Sequence, residues 1–530
     1  MNPRTSPRIA WALAGLHLLL CASAFRDDRF LNDEGLLTQL FAQLVARDPL
    51  PTIFLQKVRP PLSILYAPVA GNLTAFLWAH ALVGAGAVVA LAAAARNLGH
   101  RAPNVAAAVL ALSPMFVAGS ASGVSNADAV AGLCVVVWAA SSGRWLAAGI
   151  VMGTLGWVRA ELVVVALALA AVAWMRGDRR FVVGLFVWPV AYGLAGTIYH
   201  QYIGWMLHYP PALRAPMPDN PFWDGHGGAP PLSQLSHTFF ALSVVWPLAL
   251  AVRWRELSPI ERGLCVGTVV LLLALVGLPA LRLFNFDQSP RYLMPVVVAL
   301  ALCVGRVAES DWTARSLHAT AVLALGAALA ILGFGDDGLA GPPYAIAATA
   351  AAVAVARAGW PMLARLGIAT LLAIGPAAFT SGARIDRATM VPHVDEMLAR
   401  LQEHAGELGE RPIYTNEPIL AAYLRRSGGL PQARVYYLVQ ADQVYELTQL
   451  TNPVNGQRQA IFAALSQGMY GTPVFPDELD PDGVAPGALF VLTGDVRLPL
   501  VMPPQRWAER TRVLHPGQRM QILERTEDGP

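Results

Sequence analysis

The chain has 530 residues, 55% of them hydrophobic and 14% charged, with a mean hydropathy of +0.47 and a formal net charge of +3. A soluble fold carries about 25% charged residues, and one core of this length cannot bury that much apolar surface, so a wholly water-soluble protein is excluded. The four cysteines (Cys21, Cys134, Cys265 and Cys303) all fall inside apolar runs and lack metal-ligand spacing, which implies no disulfide framework.

The first apolar run, Ile9 to Phe25, follows a short segment containing Arg4 and Arg8. It reads as an uncleaved first helix rather than a signal peptide, because its small-residue cleavage pattern is weak and more spans follow. Further runs lie at 73–95, 104–121, 126–142, 181–204, 236–252, 263–283, 292–306, 317–334, 343–356 and 366–381. The stretch 145–175 is interrupted by Arg159 and Glu161 and splits into helices at 145–157 and 161–175. At roughly twenty residues per span, the total is about thirteen.

Arginine placement supports that split. The connections holding Arg96/Arg101, Arg144, Arg176/Arg179/Arg180, Arg253/Arg255/Arg262, Arg306/Arg315 and Arg357/Arg365 all face the cytoplasm only if the chain turns at Arg159. The N-terminus is then cytoplasmic. The loops 26–72 and 205–235, and everything beyond 381, face outward. The expected architecture is an all-α polytopic membrane domain over 1–381, followed by a small extracytoplasmic α/β domain over 382–530. In that tail Arg411–Thr415, Ala433–Val439 and Ala488–Thr493 read as strands, and Glu417–Arg425 and Gln457–Gln467 as helices, an alternation typical of α/β units. It holds no glycine-rich phosphate loop and no triad motif.

Residues able to do chemistry gather on the outward connections. Asp33-Glu34 precedes Leu36, Leu37, Leu40, Phe41 and Leu44, an apolar stripe that predicts an amphipathic helix lying at the interface. A carboxylate at a helix start is stabilised as an anion, so Asn32 or Asp33 can be a plain N-cap. The functional alternative is a general base at the membrane edge. Lys57 and Arg59 flank a bend made by Pro60-Pro61, with Tyr66 beyond. They suit a phosphate or equally the snorkelling of basic side chains to lipid headgroups. Asp128 sits in Ser125-Asn-Ala-Asp128 at the outer start of the fourth span. Arg159 and Glu161 break a span, and charges at membrane depth mark functional sites by default, although a structural charge cluster is the rival explanation. Arg291 and Tyr292 lie in Ser289-Pro-Arg-Tyr-Leu-Met-Pro295, where they suit an anionic headgroup. Tyr292 also fits an aromatic belt. The loop 205–235 carries His208, Tyr209, Asp219, Trp223, Asp224 and His226, with His237 just beyond. The histidine spacing matches no zinc pattern; sugar stacking, a lid or an ordinary loop accounts for the composition.

On these residues the chain resembles the GT-C superfamily of membrane glycosyltransferases, in its aminoarabinose-transferase-like and protein O-mannosyltransferase-like branches. Asp33-Glu34 matches the acidic pair that follows the first helix. Arg59-Pro60-Pro61 with Tyr66 stands where members carry Lys-Pro-Pro or His-Pro-Pro and a tyrosine. Asp128 matches the acid at the fourth helix, Val158-Arg-Ala-Glu161 a Thr-Arg-Pro-Glu-like turn, and Arg291 to Pro295 an Arg-Tyr-Leu-x-Pro segment. The chain departs from the pattern at Ala160, where the family has proline, and at Arg59, which replaces the lysine or histidine, with Lys57 two residues earlier.

The resemblance implies transfer of a sugar from a polyprenyl-phosphate-linked donor to a hydroxyl of a glycan, lipid or protein acceptor outside the bacterial inner membrane, with inversion. Asp33 would be the general base, with Glu34 as alternative, and Asp128 would help place the acceptor or a cation. Lys57, Arg59, Arg159 and Arg291 would hold the lipid phosphate, with Tyr66, Glu161 and Tyr292 beside them. A divalent cation is compatible with this chemistry, but nothing in the sequence demands one, and no nucleic-acid partner is expected. Two rivals are a transporter or flippase of a lipid-linked or anionic solute, and a scaffold or sensor. A transporter calls for ionisable residues near the midplane, whereas here they collect at one face.

Overall fold

The computed structural model describes residues 7–24, 33–54, 58–208, 253–280, 294–309, 391–405, 408, 410–426, 430, 434–438, 472–474, 479–493, 510–516 and 520–527. The expected spans at 236–252, 317–334, 343–356 and 366–381, and the expected helix at 457–467, lie outside these residues.

The first helix, α1, covers Pro7–Ala24. The loop after it folds as α2 (Asp33–Arg47), α3 (Pro49–Ile53) and α4 (Pro60–Tyr66). The apolar stripe accounts for α2: Leu36, Leu40, Phe41 and Val45 are buried, and Gln39 and Gln43 both donate to the Ala70 carbonyl at 2.7 Å. Next comes α5 (Leu73–Asn97), whose cap Asn72 accepts from the Ala75 N–H at 2.9 Å. At 1.5 Å per residue it is about 37 Å long, enough for a bilayer core.

The expected single span at 104–121 is instead two helices, α6 (Pro103–Ala111) and α7 (Pro114–Ser122), bent by 55°. Pro114 supplies no N–H to the preceding turn, which breaks the ladder there. Then follow α8 (Ser125–Ser141), α9 (Trp145–Leu155), α10 (Val163–Met175) and α11 (Arg180–His200). A short α12 (Trp205–His208) and α13 (Arg253–Glu256) lead to α14 (Pro259–Ala280) and α15 (Val296–Glu309). Among the described helices, α5 and α11 are each long and apolar enough to cross a membrane, and α6 with α7 are so together.

The break expected at Arg159 is present. Turns over 156–159 and a tight turn at Ala160–Leu162 separate α9 from α10. As a result α9 and α11 run parallel and pack backbone to backbone. A Cβ placed on Gly149 would lie 2.1 Å from the Phe181 carbonyl oxygen, one on Gly153 2.3 Å from that of Leu185, and one on Gly184 2.5 Å from that of Leu146. Small residues permit such an approach in a bilayer, where no hydrophobic force draws helices together.

At the other end of the bundle, buried Glu261 ties three connections together. It accepts from the Ser258 N–H at 2.8 Å and from Arg306 at 2.9 and 3.0 Å, and its Oε1 lies 2.9 Å from His100 Nε2. Arg306 also donates to the Leu98 and Gly99 carbonyls.

The tail contributes α16 (Val391–Ala405), β1 (Ile413–Thr415), α17 (Pro418–Arg426), β2 (Val435–Leu438), β3 (Thr472–Val474), β4 (Leu489–Thr493), β5 (Thr511–Pro516) and β6 (Met520–Arg525). They form one sheet in the order β3-β2-β1-β4-β6-β5, parallel from β3 to β4 and antiparallel beyond. Parallel register sets Tyr436, Tyr414 and Phe490 side by side on one face, with ring centroids 4.5 and 4.8 Å apart. The other face meets the helices. There α17 also packs against α2, so that Leu36 and Leu40 share one buried cluster with Leu420, Ala421 and Leu424.

Candidate active site

The acidic pair Asp33 and Glu34 forms the first turn of α2. The next residue, Gly35, fixes where that turn sits: a Cβ there would lie 1.9 Å from the Ser122 carbonyl oxygen. The start of α2 is therefore pressed onto the α7–α8 turn. That turn closes on Gly123, whose φ of 74° lies in the left-handed region natural to glycine. It lies between Gly35 and the Phe76 ring, and Ser125 and Asp128 follow immediately in α8.

Two side chains of α4 reach the same first turn of α8. At one end Arg59 Nη1 donates to Ser125 Oγ at 2.7 Å. At the other end the Tyr66 hydroxyl donates to Asp128 Oδ1. Arg59 holds φ 50° and ψ 66° as the residue capping α4. A non-glycine residue in left-handed backbone is uncommon and strained, and here a proline follows, which would ordinarily favour extended backbone. Burial pushes the Tyr66 phenol well above its ordinary range, and the Asp128 carboxylate pushes it further, so Tyr66 stays a donor.

Asp128 is buried, as is His80 of α5, whose Nε2 lies 2.8 Å from Asp128 Oδ2. This is ion-pair distance, though the N–H is off the line of a hydrogen bond. The imidazole stacks on Tyr66 with centroids 4.9 Å apart and planes at 19°. Asn126, fully buried in the same turn, has no hydrogen-bond partner for its side-chain amide among the described residues.

The broken span reaches this level of the bundle. Leu155 packs on Gly132, one turn below Asp128, and the Arg159 N–H bonds back to the Leu155 carbonyl at 2.8 Å. Arg159 thus stands one turn beyond Leu155. Its Nε donates to Glu161 Oε1 at 2.7 Å, both side chains being 5% exposed. Residues two apart do not face each other on a helix; the break in the helix is what lets this pair close.

The structure therefore brings the helix start bearing Asp33 and Glu34 onto the turn before Ser125 and Asp128, with which Arg59 and Tyr66 pair, and sets Arg159, paired with Glu161, one turn beyond Leu155. Lys57, Arg291 and Tyr292 lie outside the described residues. Met294, at the end of the Arg291 segment, is buried against Gly119 of α7. Sequence reasoning missed His80, although a single histidine inside an otherwise apolar span was the signal. Among the described residues no group of three or more His, Cys, Asp or Glu side chains is placed to hold a metal ion.

No protein-family model matches the chain, and no curated protein matches it. A solved structure does: ArnT from Cupriavidus metallidurans in the apo state, at a TM-score of 0.52 and 16% identity, over 97% of each chain. At 97% coverage the match takes in both the helical bundle and the tail, and it is a likeness of fold. The chain has an ArnT-like fold.

Proposed function

We propose that the protein is a membrane glycosyltransferase that moves a sugar from a polyprenyl-phosphate-linked donor to an acceptor hydroxyl on the outer side of a bacterial inner membrane. The observation that carries this reading is the seating of Gly35 on the α7–α8 turn. It brings a carboxylate-bearing helix start to the turn that leads into Ser125 and Asp128, with which Arg59 and Tyr66 pair.

In this reading Asp33 takes the proton of the acceptor hydroxyl, with Glu34 as the alternative base. The acceptor oxygen bonds to the anomeric carbon as the bond from that carbon to the phosphate oxygen breaks, which inverts the configuration. The electron pair leaves on the lipid phosphate. Cations beside that phosphate would stabilise the growing charge, a role assigned in this reading to Lys57, Arg59, Arg159 and Arg291. The leaving group is an anion already and needs no general acid. The tail, resting on α2, belongs to the outer side with the acceptor.

The test is sugar transfer from a panel of synthetic polyprenyl-phosphate sugars by wild type and Asp33→Asn in lipid nanodiscs. Transfer by wild type and its loss in the variant is the expected result. Equal transfer by the two would remove Asp33 from the chemistry, and silence with every donor would weaken the transferase reading without establishing transport.

A further inference from the structure

We infer that His80 is a positioning residue of this site, acting through Asp128 and Tyr66 to hold Arg59 where a lipid phosphate would be bound. The inference rests on the proposed donor class. Its starting point is that α4 is attached to the first turn of α8 at both ends, by Arg59 to Ser125 and by Tyr66 to Asp128. At the second attachment Tyr66 occupies one carboxylate oxygen, and His80 Nε2 lies 2.8 Å from the other.

The environment leaves Asp128 little else. It is 5% exposed and His80 is 1% exposed. A buried carboxylate with one oxygen uncompensated is costly, and it relaxes by moving. That movement would loosen the Tyr66 contact. The histidine also stacks on the Tyr66 ring and lies 5.7 Å from Phe76, so it braces both members of the attachment. Neither ring nitrogen has an aligned hydrogen-bond partner among the described residues, and Nε2, 2.8 Å from Asp128 Oδ2, is the one that faces the carboxylate. If Tyr66 and Asp128 part, α4 loses its side-chain tie to α8 at that end and keeps its packing on α2. The strain in the left-handed backbone of Arg59 then favours release of that conformation.

The experiment uses the full-length protein in nanodiscs with His80→Leu, His80→Gln, Asp128→Asn and the double variant His80→Leu/Asp128→Asn. Two quantities are read: the affinity for polyprenyl monophosphate, and kcat and KM for transfer. His80→Leu should weaken polyprenyl monophosphate binding and lower kcat by between about tenfold and about a hundredfold. His80→Gln, which keeps an N–H near the Nε2 position, should restore most of both. The double variant should be no worse than Asp128→Asn, because the two residues act as one unit. Wild-type values in His80→Leu would overturn the inference, as would equal damage from Leu and Gln with additive losses in the double variant. If wild type binds the lipid phosphate but transfers no sugar, the transfer reading fails while His80 is judged on binding alone. Wild type that binds no polyprenyl monophosphate overturns both.

Discussion

Replacing Gly35 by alanine adds one methyl group at the contact on which the functional reading depends. That methyl would lie 1.9 Å from the Ser122 carbonyl oxygen. Carbon rests against a carbonyl oxygen at about 3.3 Å, so the two elements must separate by the difference, roughly 1.4 Å. The turn has little room to give, since Gly123 is already in left-handed backbone between Phe76 and Gly35. The retreat therefore falls on the first turn of α2, while Gln39 and Gln43 hold the rest of the helix to Ala70. Overpacking of this kind destabilises by about 1–3 kcal/mol. A displacement of about 1 Å at reacting groups can lower the rate by about a hundredfold. Gly35→Ala should therefore keep a folded protein with a modestly lower melting midpoint and lose most of its kcat. Thermal unfolding and transfer kinetics on the same nanodisc preparation measure the two effects separately. A variant with both its melting midpoint and kcat unchanged would show that α2 is not seated on the turn as described.

Three further outcomes are expected. Glu261→Ala removes the acceptor shared by Arg306, His100 and the Ser258 N–H; breaking a buried ion pair destabilises by about 3–5 kcal/mol. Arg306 keeps its bonds to two carbonyls, which puts the expected loss at the low end, and denaturant titration in detergent would register it. Gly153→Leu should separate α9 from α11 by placing a side chain where a Cβ alone meets the Leu185 carbonyl at 2.3 Å, and the yield of folded, monodisperse protein should fall sharply. Finally, burial and then Asp128 raise the Tyr66 phenol above its unfolded value, so its stabilising contribution is complete below about pH 10 and is lost as pH rises beyond that. Melting of wild type should show this alkaline decline, and Tyr66→Phe should lack that part of it.

The legible parts of the fold were those written in short-range pattern. The stripe from Leu36 to Leu44 marks α2, and Arg159 with Glu161 marks the interruption between α9 and α10, because a charge inside an apolar run has few structural excuses. The bend between α6 and α7 was also written locally, in Ser113-Pro114, but apolar content masked it. Other features depend on pairings that no window contains. His100 meets Glu261 across 161 positions and Tyr66 meets Asp128 across 62. In the tail, β1, β2 and β4 were readable from β-branched and aromatic runs. By contrast β3, only three residues long and containing Pro473, is the kind of strand a sheet tolerates at its edge. The hairpin of β5 and β6 carries charges such as Arg512 and Glu524, which pair across the strands and gave the segment a loop-like composition. Among the candidate residues, the acidic pair, Arg59, Tyr66 and Asp128 each stand out in their own stretch of sequence, whereas His80 gains meaning only from the two side chains beside it.

The seam between α2 and α17 bears on how the tail can be studied. Because α17 packs against α2 and its Leu420, Ala421 and Leu424 belong to the same buried cluster as Leu36 and Leu40, deleting the tail would not simply subtract an accessory module. It would strip greasy surface bare on the very helix that begins with Asp33 and Glu34, and an inactive truncation would report that injury rather than a missing task. Point changes on the outlying β5–β6 hairpin, far along the sheet from α17, are the cleaner way to ask what the tail contributes.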